Sequence, residues 1–186
     1  MHGVILSNLK HYVVEKHGSE AWQAIRQRAD LAGRAYVPIR IYPDRELDAL
    51  LEAAVSLTGA TRDAILEDFG EWVIPPLIRM YKAMIPTEWD AVTFLLNMEE
   101  RIHQRVIRMK DPEAKPPRID VTELAPGRLE VSYKSHRNMS ALAIGCVRGV
   151  AAYYGESVSL LEEGREESGQ RRFVVQIGAP ARRAVV

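Results

Sequence analysis

The chain has 186 residues, of which 47% are hydrophobic, with 25 basic and 25 acidic side chains. This length is typical of one domain with a substantial core. The formal net charge of zero argues against a nucleic-acid-binding protein, which usually carries a clustered basic excess. The single cysteine, Cys146, excludes an intrachain disulfide and a cysteine-based zinc or iron–sulfur site. Because no signal peptide or membrane span is predicted, we expect a cytoplasmic protein.

The first two-thirds of the chain has the apolar periodicity of helices. Residues 4–17 form a helical pattern that Gly18 should close as a C-cap, and Ser19 should cap a second helix. The proline-containing stretch 36–44 separates these helices from a third one over 44–59. The N-terminal part is therefore predicted to be helical throughout.

Two more helical patterns follow. One begins at the cap residue Thr61 and should be interrupted at Pro75-Pro76, where a new helix would start. The longest pattern begins near Thr87 and carries His103 toward its C-terminal end. We expect His103 to lie on a helix.

The last third of the chain changes to strands. Alternating residues on both sides of Ala125-Pro126-Gly127 predict a β-hairpin, an apolar small-residue helix follows over 139–155, and two further strands occupy 157–178. The predicted fold class is α+β, with a helical N-terminal half packed on a four-stranded antiparallel sheet that has one inserted helix.

The stretch YKSHR contains polar residues in alternation. In a strand, Tyr133, Ser135 and Arg137 would share one face and offer hydrogen-bond donors suited to carboxylates. Lys134 and His136 would point to the opposite face and take no part in binding. A solvated strand face explains the same pattern, so the alternation alone leaves both interpretations open.

His103 is a candidate metal ligand without a partner at helical spacing, because position 107 is Ile107. It is either an ordinary helical histidine or the lone protein ligand of a metal held by a macrocycle, as in heme proteins. Heme carries two propionate carboxylates, which the Tyr/Ser/Arg face would bind. Pro116-Pro117, which lies between His103 and the Tyr/Ser/Arg stretch, makes a rigid turn that could press on a flat ligand.

Four features in this order resemble the heme-nitric oxide/oxygen binding (H-NOX) family, of the bacterial stand-alone type. They are MHGVI at the start, the helical histidine followed by QRV, the PPR turn and Y-x-S-x-R. The resemblance extends from Met1 to about Ile177. It implies about seven helices and four strands enclosing one heme b, in a single domain over 1–178 with a helical subdomain over about 1–60. Residues 179–186 are expected to be a flexible tail.

The resemblance also assigns roles to individual residues. His103 would be the proximal iron ligand, and Tyr133, Ser135 and Arg137 would bind the propionates. Pro117 would push the heme out of plane, with Pro116 as the alternative contact. The remaining heme contacts implied by the resemblance are Met1, Ile5, Leu9, Leu142 and Cys146.

The distal side is expected to be apolar. Family members that hold O2 carry a tyrosine five residues after the motif arginine, where this chain has Leu142. Tyr153 and Tyr154 lie too far along the helix to replace it. Without a donor to polarised O2, the pocket should favour NO. Cys146 is either a small buried hydrophobe or a redox-sensitive thiol.

These features predict a sensor rather than an enzyme. NO, with CO as a second candidate ligand, would bind opposite His103, weaken the iron–His103 bond and relax the strain imposed by Pro117. The signal would pass to a separate histidine kinase or cyclic-di-GMP enzyme. Two alternatives stay open: a peroxidase-like or NO-consuming heme enzyme, and a heme-free relative that acts as a redox- or metal-responsive module. Segment 71–86 departs from the family pattern.

Overall fold

The computed structural model describes residues 1–100, 116–165 and 167–178. Within these ranges, five α-helices accompany four strands in one antiparallel sheet of order β1-β2-β4-β3. The elements are α1 (Gly3–Arg28), α2 (Asp44–Thr58), α3 (Arg62–Met80), α4 (Ala91–Met98), β1 (Arg118–Ala125), β2 (Arg128–Lys134), α5 (Ser140–Tyr153), β3 (Ser157–Glu163) and β4 (Gln170–Gly178). The predicted α+β architecture is confirmed.

Gly18 interrupts α1, as the sequence predicted. Its φ of 87° and ψ of 165° are not helical, and glycine adopts this left-handed φ without steric cost. The span Gly3–Arg28 therefore consists of two helical segments joined at a kink. Beyond the kink, Trp22 and Ile25 are only 4% and 7% exposed, so their burial holds the second half of the helix against the core. The two helices expected from the sequence are therefore present, and they are joined at Gly18 without an intervening loop.

The predicted helix break at Pro75-Pro76 is wrong, because α3 runs through both prolines. Proline removes a backbone donor and crowds the preceding turn, which normally destabilises a helix interior. Here Val73, Ile74 and Ile78 are at most 5% exposed. We attribute the continuity of α3 to this burial, since tertiary packing can outweigh local propensity.

The helix α4 begins at Ala91, four residues after the predicted start near Thr87. Asp90 is the cap, and its Oδ1 accepts a hydrogen bond from the Thr93 backbone N–H at 2.7 Å. The predicted continuation of this helix to His103 lies outside the described residues.

Helices α3 and α5 meet backbone to backbone. A Cβ added at Gly70, Gly145 or Gly149 would lie 2.0–2.6 Å from a backbone oxygen of the facing helix. This contact fixes α5 against α3, while α5 also packs on β2, β3 and β4. The largest side chains of the common core include Phe69, Phe173, Leu6, Leu66, Leu129 and Ile144. In the described ranges, the helices are too short or too polar to cross a membrane.

Candidate propionate-binding loop and its cavity

The Y-x-S-x-R motif straddles the end of a strand, so the expectation that its three residues share one strand face is wrong. Lys134 is the last residue of β2 and pairs with Gln170, the first residue of β4. The regular pairing of β2 with β4 ends at this residue pair. The Ser135 N–H donates to the Gly169 oxygen at 2.8 Å, and the Arg137 N–H donates to Ser135 Oγ at 3.2 Å. Ser135 and Arg137 belong to a turn.

The turn brings Arg137 and His136 to the same carboxylate. Arg137 Nε lies 3.0 Å and His136 Nε2 2.9 Å from Asp44 Oδ2, while the Met1 amino group donates to Asp44 Oδ1 at 2.5 Å. Burial alone would raise the pKa of Asp44, but these hydrogen bonds hold that pKa well below its ordinary range. The expectation that His136 would point away from Arg137 is wrong, because it depended on strand alternation.

Asp44 was missed by the sequence analysis. A local signal exists, since an aspartate at the first residue of a helix is favoured by the helix dipole. That signal predicts a good helix start and nothing more. His136 lies 92 residues and Met1 43 residues from Asp44 along the chain, and no local pattern indicates these contacts.

A cavity of about 980 Å³ lies beside this turn. The volume is at the upper end of those of small-molecule and cofactor sites. Of the predicted heme contacts, Met1 and Arg137 line it. The full lining in the described ranges is Met1, Asp44, Leu47, Asp48, Arg62, Asp63, His136, Arg137, Asn138, Met139, Ser168 and Gly169.

The lining of this cavity combines cationic and carboxylate side chains. Arg137 already engages a carboxylate, that of Asp44, through Nε, and a guanidinium has five N–H donors. Tyr133, two residues before the turn, is a buried phenol with 4% exposure. Apolar side chains from Leu47 and Met139 contribute to the same lining. The carboxylates of Asp44 and Asp48 are paired with Arg137 and Arg62, and Asp63 adds a third carboxylate to the lining. Arg137 is therefore a group of this lining whose chemistry suits a propionate.

The predicted distal residues are apolar and lie on α1 and α5. Ile5, Leu142 and Cys146 are half-buried and pack against the edge of the core. Leu9 is 4% exposed and lines a separate cavity of about 50 Å³ between α1, α2 and α3. The structure therefore does not bring Leu9 into the cavity that Arg137 lines. Burial raises the pKa of the Cys146 thiol to about 12, so this thiol stays protonated at neutral pH.

Tyr153 and Tyr154 lie at the far end of α5. Tyr154, the cap residue that follows α5, lies twelve positions after Leu142, which is about 18 Å along the helix axis. The Tyr154 ring packs 6.0 Å from the Phe94 ring, and Tyr153 is 44% exposed. Their positions agree with the expectation that neither replaces a distal donor at position 142.

Of the remaining predicted site residues, the structure describes Pro116 and Pro117 but not His103. Pro116 and Pro117 are half-buried and precede β1 without regular secondary structure. His103 lies outside the described residues, and so its role stays a prediction. In the part of the chain that the structure describes, no group of three or more His, Cys, Asp or Glu side chains could hold a metal ion.

The chain is similar in sequence to two insect proteins. The chain is 26% identical over 174 residues to soluble guanylate cyclase 89Da of Drosophila melanogaster, covering 91% of this chain and 26% of that protein. It is also 26% identical over 158 residues to soluble guanylate cyclase 89Db, covering 83% and 24%. The chain thus spans about a quarter of the length of these relatives.

Solved structures show the same fold. An H-NOX protein from S. oneidensis in the Fe(II)NO ligation state superposes with a TM-score of 0.86 at 18% identity, covering 95% of this chain and 99% of that one. The Fe(II) unliganded H-NOX protein from K. algicida gives 0.83 at 24% identity, covering 96% of this chain and 97% of that one. Residues 2–162 match the family described as Haem-NO-binding. This chain therefore belongs to the Haem-NO-binding family and has the H-NOX fold.

Proposed function

We propose that the chain is a heme-based gas sensor that binds NO at ferrous heme b. The observation that carries the proposal is the Arg137 turn beside a cavity of about 980 Å³, in a chain whose residues 2–162 match the Haem-NO-binding family. Ferrous heme would supply the iron to which NO, or CO as a second ligand, binds. The protein would supply the iron ligand, the propionate contacts and the polarity of the pocket.

The propionate contacts are proposed for Tyr133, Ser135 and Arg137. Arg137 now forms an ion pair with the Asp44 carboxylate, and its guanidinium would donate to a propionate and balance its charge. Ser135 Oγ accepts from the Arg137 N–H at 3.2 Å and so shapes the turn. The buried phenol of Tyr133 would add a third donor.

The iron and ring contacts are proposed by family resemblance. His103 would hold the iron through its imidazole. Pro117, or its neighbour Pro116, would press on the ring, since a proline cannot rotate about φ to yield. Met1 lines the cavity and would contact the ring edge.

NO selectivity is proposed from the distal residues. Ile5, Leu9, Leu142 and Cys146 are apolar or, for the thiol, weak donors, and burial keeps Cys146 protonated by raising its pKa to about 12. A bound O2 needs a hydrogen-bond donor that these side chains do not supply. We therefore propose that no stable O2 complex forms.

We further propose one functional domain over 1–178, with a helical subdomain over about 1–60; the tail expected over 179–186 lies outside the described residues. The proposal also places the protein in the cytoplasm and passes its signal to a separate histidine kinase or cyclic-di-GMP enzyme. The stand-alone bacterial members that the motifs resemble support this partner class. Domains of this family act as sensors, and the proposal assigns no catalytic residue.

One set of optical spectra tests the proposal. The purified protein is loaded with hemin, reduced, and measured before and after NO and in air. We expect the ferrous protein to give a five-coordinate spectrum that shifts when NO is added. In air, the ferrous protein should form no oxy complex. His103→Gly should lower heme retention unless imidazole is added, whereas His11→Gly, at an exposed helical histidine, should retain heme. Absence of a Soret band in the parent, or an unchanged His103→Gly spectrum, would contradict the proposal.

A further inference from the structure

We infer that Asp44 is a positioning residue for Arg137: it holds the guanidinium at the edge of the cavity and ties the start of α2 to the loop that would bind a propionate. The inference rests on the proposed function, because it concerns how Arg137 meets the heme.

The side chains of Arg137 and His136 converge on one carboxylate oxygen of Asp44. Arg137 Nε and His136 Nε2 lie 3.0 Å and 2.9 Å from Asp44 Oδ2. The Arg137 side chain is 17% exposed and that of Asp44 is 32% exposed, so the pair is partly shielded from solvent. An arginine side chain has considerable rotamer freedom. A contact through Nε removes much of that freedom without using the other donors of the guanidinium.

The Asp44 carboxylate is held in place by the helix on which it lies. Asp44 is the first residue of α2, where the helix dipole favours a negative charge. Leu47, Leu50 and Leu51 on the same helix are at most 2% exposed. Asp44 is therefore anchored by a helix packed into the core. A movement of Arg137 toward or away from a propionate would change the contact with α2.

Asp48, one turn further along α2, does not pair with Arg137 in the way that Asp44 does. Asp48 also lines the cavity, but its partner is Arg62, whose Nη2 lies 2.6 Å from Asp48 Oδ1. Asp48 is thus an aspartate on the same helix, at the same cavity and in an ion pair of similar length. It serves as the matched control for Asp44.

The experiment measures heme transfer from the loaded protein to apomyoglobin. Asp44→Asn should accelerate heme loss by about tenfold, which corresponds to about 1.4 kcal/mol, whereas Asp48→Asn should stay within about twofold of the parent. The same Asp44→Asn change is then made in an Arg137→Gln background. Because Asp44 acts through Arg137, it should add little there.

The outcomes separate this inference from the proposed function. A parent protein that retains no heme refutes the proposed function. If the parent retains heme, equal rates for Asp44→Asn and Asp48→Asn overturn the inference. An equal acceleration by Asp44→Asn with and without Arg137 also overturns it, since that result indicates a purely structural role. If Asp44→Asn does not fold, Asp44→Ser is measured in its place, with the same expected rates and the same refuting results.

Discussion

Replacement of Gly145 by alanine is the sharpest test of how the fold is assembled. The new Cβ would lie 2.0 Å from the Glu67 oxygen and 2.7 Å from the Glu67 carbonyl carbon. Both atoms belong to the backbone of α3, so no side-chain rotation can relieve the contact. An ordinary van der Waals distance is 3.4–4 Å. Helices α3 and α5 would have to separate by more than an ångström.

Two opposing effects set the magnitude. Helix propensity favours alanine over glycine by about 1 kcal/mol. Overpacking a core costs about 1–3 kcal/mol, and the upper value applies here because backbone meets backbone. The net loss for Gly145→Ala is therefore about 2 kcal/mol. For a domain of this size, each kcal/mol lowers Tm by about 2–4 °C, so we expect a decrease of about 4–8 °C.

The assay is thermal unfolding followed by circular dichroism, with all variants in the same heme state. Gly33→Ala is the control, because no atom outside its neighbours lies within 4 Å of the added Cβ. That variant should match the parent or be slightly more stable, since alanine restricts the unfolded chain. A Gly145→Ala protein with an unchanged or higher Tm would refute the backbone contact between α3 and α5.

Two further predictions concern buried polar groups. Burial raises the pKa of the Cys146 thiol to about 12, so native protein should react slowly with a thiol reagent at pH 8. Stability should fall as pH rises from about 9 to 12, where the thiol ionises in the unfolded chain only. Cys146→Ala should reduce that loss, of which another part comes from Tyr12 and Tyr36, whose pKa values burial also raises. Native labelling as fast as in urea would contradict this. The Tyr12 hydroxyl donates to Asp68 Oδ2 at 2.5 Å, so Tyr12→Phe should cost about 1–2 kcal/mol at pH 7, against little for the exposed Tyr153→Phe. Burial alone would raise the pKa of Asp68, but hydrogen bonds from Lys16 and Tyr12 lower it. The cost of Tyr12→Phe should therefore shrink below about pH 4, as the Asp68 carboxyl protonates. A cost that stays the same at all pH values in urea-induced unfolding would argue against the hydrogen bond between Tyr12 and Asp68.

Local sequence patterns predicted most of the fold because their physical causes are local. Gly59 has a positive φ of 72° and ends α2 where the sequence predicted. The alternation around Pro126-Gly127 produced the β1–β2 hairpin, with Gly127 at φ 71°. Period, cap and turn chemistry depend on neighbours within a few residues.

The candidate site was predicted in part for the same reason. The motif residues Tyr133 and Arg137 were recognised from their spacing, and the structure places Arg137 at a large cavity. The assumed strand alternation failed because the regular pairing of β2 with β4 ends at Lys134 and Gln170. The end of a strand depends on the neighbouring strand, which lies some 35 residues further along the chain.

Local residue patterns were enough to predict the order of the helices and strands, the Y-x-S-x-R motif and the apolar character of the predicted distal residues. The continuity of α3 through Pro75-Pro76 and the pairing of Asp44 with Arg137 became visible only in the folded chain. The physical reason is the same in both cases. Burial of a helix face, and an ion pair between residues 93 positions apart, depend on packing between distant segments, and no local pattern encodes it.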